Sequence, residues 1–349
     1  MFKKGKKYFK LVLVVLAIAC GSSCKHLSIK ADRAFYYWRS NFRLADKDVS
    51  YMQSIGVSKI YLHFFDVNWN DIYSKVLPVD AVKFDSVSAN SLQFVPVIYI
   101  TTKALEETPG DSINSLSRHI LDEVEHIATV HDLNYNELQF DCDWTDGTQK
   151  KYFTLLSYFH NELKQKGKLL SATIRLHQVK YKEKTGVPPI DRGMLMFYNM
   201  GKVNSIPGYN SIYNERDANN YASYVKSYPL PLDVALPVFS WAVIFRDGKV
   251  KGINEKAVNQ DFSTDSLFLS AGNNIFVSRK AFFLHGRYFM KNDTVKLEQV
   301  TPDICEDAAN NVSRYLKNEK RTVILFDYDS IYLSTYDKKD LDKIFSLSN

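Results

Sequence analysis

The residues best suited to chemistry lie in one stretch, Glu137–Thr145, where apolar and polar residues alternate as they do in a β-strand. A period of two places Asp141, Asp143 and Thr145 on one face. Two carboxylates on one strand face have Cα atoms about 7 Å apart, so their like charges interact and favour sharing of a proton. The stretch therefore predicts either a carboxylate pair for acid–base chemistry or two buried aspartates of a structural hydrogen-bond network.

The elements around this stretch alternate between strand-like and helix-like segments. The predicted strands are Ala34–Arg39, Lys59–Phe65, Phe94–Ile100, Glu137–Thr145, Leu169–Leu176, Gly193–Met200, Asp233–Trp241 and Thr322–Tyr328. Helical patterns occupy residues 46–55, 112–131, 152–163, 217–226 and 302–317. Eight strands in this rhythm predict an α/β fold, a (β/α)8 TIM barrel. The alternative is a doubly wound open sheet, but no glycine-rich phosphate loop follows the first strand.

The alternation of strands and helices stops after the seventh strand. Between Phe245 and Val300, the turn signals Asp247-Gly248 and Asn292-Asp293 are flanked by residues that favour strands. We therefore expect a β-rich insertion at about residues 245–300, built from hairpins, within one barrel domain over residues 33–349.

Functional groups of such barrels gather at the C-terminal ends of the strands. The predicted ends are polar and aromatic: Trp38, Arg39, Asp66, Tyr99, Asp141, Asp143, Arg175, His177, Tyr198, Asn199, Trp241, Asp327 and Asp329. We predict Asp143 and Asp141 as catalytic residues. The predicted substrate-binding residues are Tyr198, Asn199, Trp38, Asp66, Tyr99, Trp241 and Asp327. For each tryptophan, core packing is an equal alternative, and for His177 a structural hydrogen bond is favoured over a positioning role.

The N-terminus is typical of export. Five lysines precede the apolar run Leu11–Ala19, which is short for a membrane span and predicts a signal peptide over residues 1–19. Leu16–Cys20 is similar to a bacterial lipobox, which implies lipidation of Cys20 and a tether over residues 20–32. Cleavage by an ordinary signal peptidase is the competing interpretation. The absence of an acidic run after Cys20 favours the periplasmic side of the bacterial cell envelope.

Charge and cysteine content restrict the partners. The formal charge is +6, and removal of the five signal-peptide lysines leaves +1, so the sequence gives no indication of nucleic-acid binding. The four cysteines form neither a disulfide framework nor a zinc-site spacing, and we expect no metal and no cofactor. Tyr and Phe number 22 each, which suits either a large core or a cleft that stacks on sugar rings.

The strand-end residues resemble the family-18 glycoside hydrolases, the chitinase-like barrels. The fourth strand of that family carries Asp-x-x-Asp-x-Asp-x-Glu, and Asp141 and Asp143 match its second and third aspartates. The sixth strand carries Met-x-Tyr-Asp/Asn, which Met196–Asn199 matches. Many members also carry a small α+β subdomain after strand 7. The resemblance implies a TIM barrel with a carbohydrate-binding cleft at the strand ends.

This sequence departs from the family pattern at residues that the family uses for catalysis. Leu138 replaces the first aspartate of the motif, and Thr145 replaces the glutamate that donates the proton. The last strand carries Phe326-Asp327 where the resemblance implies a tryptophan. Because a threonine hydroxyl cannot act as a general acid near neutral pH, the chitinase mechanism is not available in its usual form.

Two hypotheses follow, and both have an oligosaccharide or polysaccharide as partner and a membrane as anchor. In the first, the protein is a glycoside hydrolase with Asp143 as proton donor beside Asp141, and Asp66, Asp327 or Asp329 as nucleophile or base. In the second, it is a non-catalytic glycan-binding lipoprotein that has lost the glutamate. A scaffold without a sugar ligand ranks below both.

Overall fold

The computed structural model describes residues 31–86, 91–204, 208–263 and 266–347. Eight parallel strands form its central barrel. They are β1 (Asp32–Tyr37), β2 (Val57–Asn70), β3 (Gln93–Ile100), β4 (Glu137–Asp141), β5 (Leu169–Arg175), β6 (Arg192–Met196), β7 (Leu232–Pro237) and β8 (Thr322–Phe326). Each strand pairs with the next along the chain, and β1 closes the barrel because Phe35 lies opposite both Ile60 of β2 and Leu325 of β8. The predicted TIM barrel is confirmed.

Helices cover the outside of the barrel. The α-helices are Asp46–Ser54, Thr102–Glu107, Ile113–Val130, Gln149–Gln165, Leu176–Lys180, Lys182–Thr185, Glu215–Ala222, Asn259–Phe262, Pro302–Ser313, Ser330–Leu333 and Lys338–Leu347, with 3₁₀ turns at Gly110–Ser112 and Val225–Ser227. Ile113–Val130 shows why they pack on the barrel: Ile120, Val124 and Ile127 follow a helical spacing and all are buried. Gly56 adopts a positive φ just after the first helix, as a C-terminal glycine does.

Several strand bounds differ from the prediction, and three of these differences shape the mouth of the barrel. β4 ends at Asp141 rather than Thr145, because the Thr145 amide donates to the Thr148 hydroxyl at 2.9 Å and the chain turns into the next helix. β6 ends at Met196, and Asn199 has a φ of 55°, which takes the chain out of the ladder. β2 runs on to Asn70 and folds back on the antiparallel strand Lys75–Val79.

The β-rich insertion after β7 is present and begins at Ser240. Its five-stranded sheet has the order Lys249–Glu255, Ser240–Arg246, Thr294–Gln299, Ile275–Ser278 and Phe268–Gly272. This sheet buries its own hydrophobic cluster, which includes Ile244, Phe268 and Leu297. Two further small sheets pair Phe282–Leu284 with Arg287–Phe289, and Asn41–Arg43 with Lys83–Ser86.

One of the two predicted hairpin turns is confirmed. Asp247 and Gly248 both have positive φ and join two paired strands, which is the geometry of a tight hairpin. The second is wrong as a hairpin. Asn292-Asp293 is a turn, but the strands on either side of it pair with other strands.

The interior of the barrel holds a chain of hydrogen bonds. The hydroxyl of Tyr36 donates to Gln139, whose amide nitrogen donates to the Ser171 hydroxyl at 3.2 Å. Ser171 in turn donates to Glu137 at 2.6 Å, and Tyr61 donates to the same carboxylate at 3.0 Å. The chain links β1, β2, β4 and β5 below the C-terminal mouth of the barrel.

The predicted signal peptide, Cys20 and nearly all of the predicted tether lie outside the described residues. None of the helices within the described ranges combines the length and apolar character that crossing a membrane requires.

Candidate functional site

A cavity of about 380 Å³ opens among the C-terminal ends of the barrel strands. Residues of six barrel strands and of the loops after the strands reach it. Its lining consists of Trp38, Arg39, Ser40, His63, Asp66, Asp80, Tyr99, Asp141, Arg175, Met196, Tyr198, Asn199 and Phe326. Six of the residues predicted from the sequence are therefore brought together here: Trp38, Asp66, Tyr99, Asp141, Tyr198 and Asn199.

A second cavity of about 400 Å³ adjoins the first. Its lining consists of Asp143, Arg175, Leu176, His177, Tyr198, Asn199, Met200 and Tyr221. Arg175, Tyr198 and Asn199 line both cavities, so the two form one cleft that crosses the mouth from β1 to the loop after β6. Below, "the cleft" means this pair of cavities.

Asp141 is the buried carboxylate of the cleft. It is 5% exposed, accepts a hydrogen bond from the Thr173 hydroxyl at 2.5 Å and lies 3.8 Å from the Arg175 guanidinium. Burial raises the pKa of Asp141, and the nearby Arg175 and the Thr173 hydrogen bond oppose that rise only in part. The net shift favours the protonated acid more than in an exposed aspartate.

Asp143 lies at the rim, and its side chain is 54% exposed. Arg175 donates to it twice, from Nε to Oδ1 at 2.6 Å and from Nη2 to Oδ2 at 3.3 Å. Burial lowers the pKa of Arg175, but Asp141 and Asp143 together raise it by more, so the guanidinium stays charged. Arg175 was recognised in the sequence only as a polar strand end, and its contact with both aspartates was not predicted.

Thr145 lies outside the cleft. Its hydroxyl is 3.3 Å from the Thr148 hydroxyl, and its side chain lines a third cavity beside Trp144 and Tyr181, which shares only His177 with the cleft. The expectation that Asp141, Asp143 and Thr145 form one continuous strand face is therefore wrong beyond Asp141, because the strand ends there.

Tyr198 and Asn199 follow β6 directly. Tyr198 is 4% exposed, its hydroxyl lies 3.4 Å from the Met196 sulfur, and burial raises its pKa well above the usual value. The backbone N–H of Asn199 donates to the carbonyl oxygen of Ile212 at 2.7 Å. This bond fixes the turn that presents the Asn199 side chain to the cleft.

Trp38 follows β1 and also lines the cleft. Its ring centroid lies 4.9 Å from that of His63 and 5.9 Å from that of Phe326, so neighbouring rings support it. His63 is buried, lines the cleft and forms a hydrogen bond with Asp66 at 2.7 Å.

Two predicted site residues lie elsewhere. Trp241 belongs to the insertion strand Ser240–Arg246, since β7 ends at Pro237, and its indole donates to Glu298 at 2.8 Å. Asp327 follows β8 by a cis peptide bond, lines neither cavity, and has a pKa that burial raises to about 6.

Metal ligands do not cluster in the part of the chain that the structure describes. No group of three or more His, Cys, Asp or Glu side chains there could hold a metal ion. The charged and polar groups of the cleft include four aspartates, two arginines, two histidines and Asn199, beside its aromatic rings.

Comparison with known proteins identifies solved structures that share this fold. No model of a protein family matches the sequence, and no curated protein does. Among solved structures, the spore cortex-lytic enzyme SleL of Bacillus megaterium QM B1551 gives a TM-score of 0.56 at 10% identity, covering 91% of this chain and 74% of that chain. The GH18 chitinase ChiB of Flavobacterium johnsoniae gives 0.52 at 11% identity, with coverages of 91% and 94%.

A third similar structure is the chitinase-like agglutinin RobpsCRA of Robinia pseudoacacia. It gives a TM-score of 0.51 at 12% identity, covering 90% of this chain and 99% of that chain. TM-scores of 0.51 to 0.56 over nine-tenths of the chain establish a shared fold, at identities of only 10% to 12%. The chain therefore shares the barrel fold of these proteins, among them a GH18 chitinase.

Proposed function

We propose that this protein is an exported, lipid-anchored carbohydrate-binding protein that holds an oligosaccharide or polysaccharide in the cleft without cleaving it. The cleft offers what sugar recognition needs, because aromatic faces and hydrogen-bonding groups converge in it. Trp38 and Tyr99 supply rings, and Asp66, Arg175 and Asn199 supply polar groups.

The observation that carries the proposal is the ion pair between Arg175 and Asp143. Both oxygens of Asp143 accept hydrogen bonds from one guanidinium, so this carboxylate is already engaged by a cation in a two-point contact. A general acid must instead hold a proton and direct it at the leaving oxygen. Thr145, at the position of the motif glutamate, has a hydroxyl outside the cleft. Neither residue is arranged to donate a proton.

The fold comparison supports a binding role as well as a catalytic one. RobpsCRA is by its name a chitinase-like agglutinin, so a barrel of this kind also serves as an agglutinin. The anchor belongs to the same proposal: lipid on Cys20 would hold the domain at a membrane of the bacterial cell envelope, on the periplasmic side.

A second function, glycoside hydrolysis, is favoured by one feature. Asp141 lines the cleft, and burial raises its pKa, as it does for carboxyl groups that act as acids. In that case Asp141 would replace Asp143 as the proton donor, and Asp66, which lines the same cavity, would be the second carboxylate.

The test separates the two functions on the same samples. The purified protein is titrated with a panel of oligosaccharides by calorimetry, and each mixture is analysed for shorter products by mass spectrometry. We expect binding with no products, and only a modest loss of affinity in Asp143→Asn. Asp122→Asn, an exposed position on the outer helix Ile113–Val130, serves as the matched control.

Two outcomes contradict the proposal. Products that appear with the native chain and vanish in Asp141→Asn establish the hydrolase instead. A cleft that binds none of the glycans, in a protein that unfolds cooperatively, overturns both carbohydrate functions and favours a scaffold.

A further inference from the structure

A buried carboxylate of the insertion holds the loop that follows β6. Glu298 lies on the insertion strand Thr294–Gln299 and is 3% exposed. Its Oε2 accepts one hydrogen bond from the backbone N–H of Ser211 at 3.1 Å and another from the Ser211 hydroxyl at 2.5 Å. Ser211 is itself buried and belongs to the loop between β6 and the helix Glu215–Ala222. One side chain of the insertion is therefore joined to that loop by two hydrogen bonds.

The same carboxylate is fixed from within the insertion. Trp241 lies opposite Glu298 in the sheet, and its indole N–H donates to Oε2 at 2.8 Å. The ammonium group of Lys296 lies 2.5 Å from Oε1, and both members of this ion pair are buried. Because both oxygens are engaged, the carboxylate cannot rotate without losing contacts, and Oε2 stays directed at Ser211.

Two neighbouring contacts attach the loop to the same insertion strand. The side-chain amide of Asn210 donates to the carbonyl oxygen of Gln299 at 2.8 Å. The ammonium group of Lys296 also donates to the carbonyl oxygen of Val203 at 3.3 Å. Three residues of one strand therefore hold the loop, and the carboxylate is the one that bonds its backbone and a side chain together.

The segment of the loop that is held in this way supports the turn at Asn199. The carbonyl oxygen of Ser211 accepts a hydrogen bond from the backbone N–H of Gly201 at 3.2 Å. The carbonyl oxygen of the next residue, Ile212, accepts one from the backbone N–H of Asn199 at 2.7 Å. Since Asn199 lines both cavities of the cleft, a displacement of Ser211 would be passed through Ile212 to a residue of the site.

The insertion acts on the cleft from outside it. Within the part of the chain that the structure describes, no residue of the insertion lines either cavity. We propose that Glu298 is a positioning residue for the cleft: by holding Ser211 it fixes the turn that presents Asn199 to the sugar. The affinity of the cleft then depends on a side chain that does not touch the ligand. This inference rests on the carbohydrate-binding function proposed above and adds to it a role for the insertion.

A second buried carboxylate of the insertion provides the matched control. Asp293 is 1% exposed and accepts hydrogen bonds from Arg246 at 2.7 Å and 2.8 Å and from the backbone N–H of Met290 at 2.7 Å. These partners all belong to the insertion and not to the loop after β6. Asp293→Asn therefore disturbs a buried ion pair of the same sheet, as Glu298→Gln does, without reaching the cleft.

The first measurement needs no glycan. Hydrogen exchange of the backbone amides of Asn199 and Gly201 is followed by NMR in the full chain, since each amide exchanges when its hydrogen bond to the loop opens. Glu298→Gln should speed this exchange about tenfold, because a glutamine has one acceptor oxygen and cannot serve both Lys296 and Ser211. The control variant should leave the exchange unchanged, although both variants lower the unfolding temperature.

The second measurement is glycan affinity, by calorimetric titration with the best-bound oligosaccharide. Glu298→Gln should weaken binding about tenfold, as the loss of one well-placed hydrogen bond to the sugar would, and the control variant should weaken it less than about twofold. In the Asn199→Ala background, Glu298→Gln should cost less than about twofold, because its effect passes through Asn199. In the Trp38→Ala background, its cost should remain about tenfold.

A milder variant keeps the test decisive if Glu298→Gln does not fold. Ser211→Ala removes only the hydroxyl donor and retains the ion pair of Glu298 with Lys296. It should change the exchange and the affinity in the same directions, by about threefold each.

Unchanged exchange at Asn199 in a folded Glu298→Gln variant overturns the proposal. So do equal losses of affinity in Glu298→Gln and Asp293→Asn, or a full tenfold loss in the Asn199→Ala background, since the carboxylate would then only stabilise the fold. A native chain that binds no glycan overturns the proposed function instead, and the exchange rates alone then decide whether Glu298 holds the turn.

Discussion

The guanidinium of Arg175 holds the carboxylate of Asp143 in a fork, with Nε 2.6 Å from Oδ1 and Nη2 3.3 Å from Oδ2. The same guanidinium lies 3.8 Å from Asp141. Arg175 ends β5, and the two aspartates end or follow β4, so one cation from a neighbouring strand serves both carboxylates. One positive charge therefore already faces both carboxylates before any sugar arrives.

Replacing this cation should destabilise the protein in a pH-dependent way. Arg175→Gln leaves buried Asp141 without its nearest positive charge, and we expect a loss of about 1–3 kcal/mol of unfolding free energy at pH 7. The loss should shrink near pH 5, because a protonated Asp141 needs no cation. Urea denaturation at both pH values measures it. Arg216→Gln, 80% exposed, is the control and should change little. An equal loss at both pH values would show that Arg175 stabilises by packing alone.

The ring of Trp38, which lines the cleft, should contribute to glycan affinity. Trp38→Ala removes a ring that His63 and Phe326 support, and we expect affinity to fall about tenfold, since a good aromatic contact is worth about 1–1.5 kcal/mol. Calorimetric titration with the best-bound oligosaccharide measures the change. Trp69→Ala is the matched control because Trp69 is also partly buried but lines neither cavity. Equal losses in the two variants would place the sugar elsewhere.

Restoring the motif glutamate should not restore hydrolysis. Thr145 lines neither cavity of the cleft but a third cavity that shares only His177 with it, so we expect Thr145→Glu to place its carboxylic acid in that third cavity. We expect no shorter products from any glycan that binds, and binding affinity close to that of the native chain. Product analysis after prolonged incubation measures this. Turnover in Thr145→Glu would mean that residues 142–145 rearrange when a sugar binds.

Asp327 should make stability fall as the pH rises. Burial raises its pKa from 3.8 to about 6, so the folded chain binds more protons than the unfolded chain between those values. The unfolding free energy should therefore decrease between about pH 4 and pH 6, by about 2–3 kcal/mol from this group. Asp327→Asn should remove that decrease and be more stable than the native chain at pH 7.

The control for this prediction is Asp71→Asn. Asp71 is exposed, and its pKa is lowered chiefly by the hydrogen bond from Lys103, so its effect on stability has the opposite sign. If Asp71→Asn and Asp327→Asn shift the pH profile alike, Asp327 is ionised in the folded protein and the expected effect is absent.

The sequence predicted the barrel because each strand is apolar enough to be recognised and each helix has one apolar face. In Ile113–Val130 the spacing of buried side chains set the helix within a residue at each end. The strand ends were less accurate. Whether a chain leaves the ladder after Asp141 depends on the Thr148 hydroxyl, which alternation of residue types does not reveal.

The sequence predicted which residues belong to the candidate site better than it predicted the contacts between them. Strand ends gather in any such barrel, so Trp38, Tyr99 and Tyr198 could be assigned to the mouth. The partner of Asp143 could not, because Arg175 comes from the next strand and its direction depends on side-chain geometry. Trp241 was placed at the mouth since Pro237 gave no sign that β7 ended there.

The hydrogen-bond chain from Tyr36 through Gln139 and Ser171 to Glu137 ties neighbouring strands together directly beneath the cleft. Its members have little freedom to move, and the side chains above them inherit that restraint. A sugar that enters the mouth thus contacts side chains that are already immobilised. Most of the conformational entropy lost on binding is therefore that of the sugar. The free and occupied barrels should have nearly the same backbone, and recognition should select sugars whose preferred shape already matches the mouth.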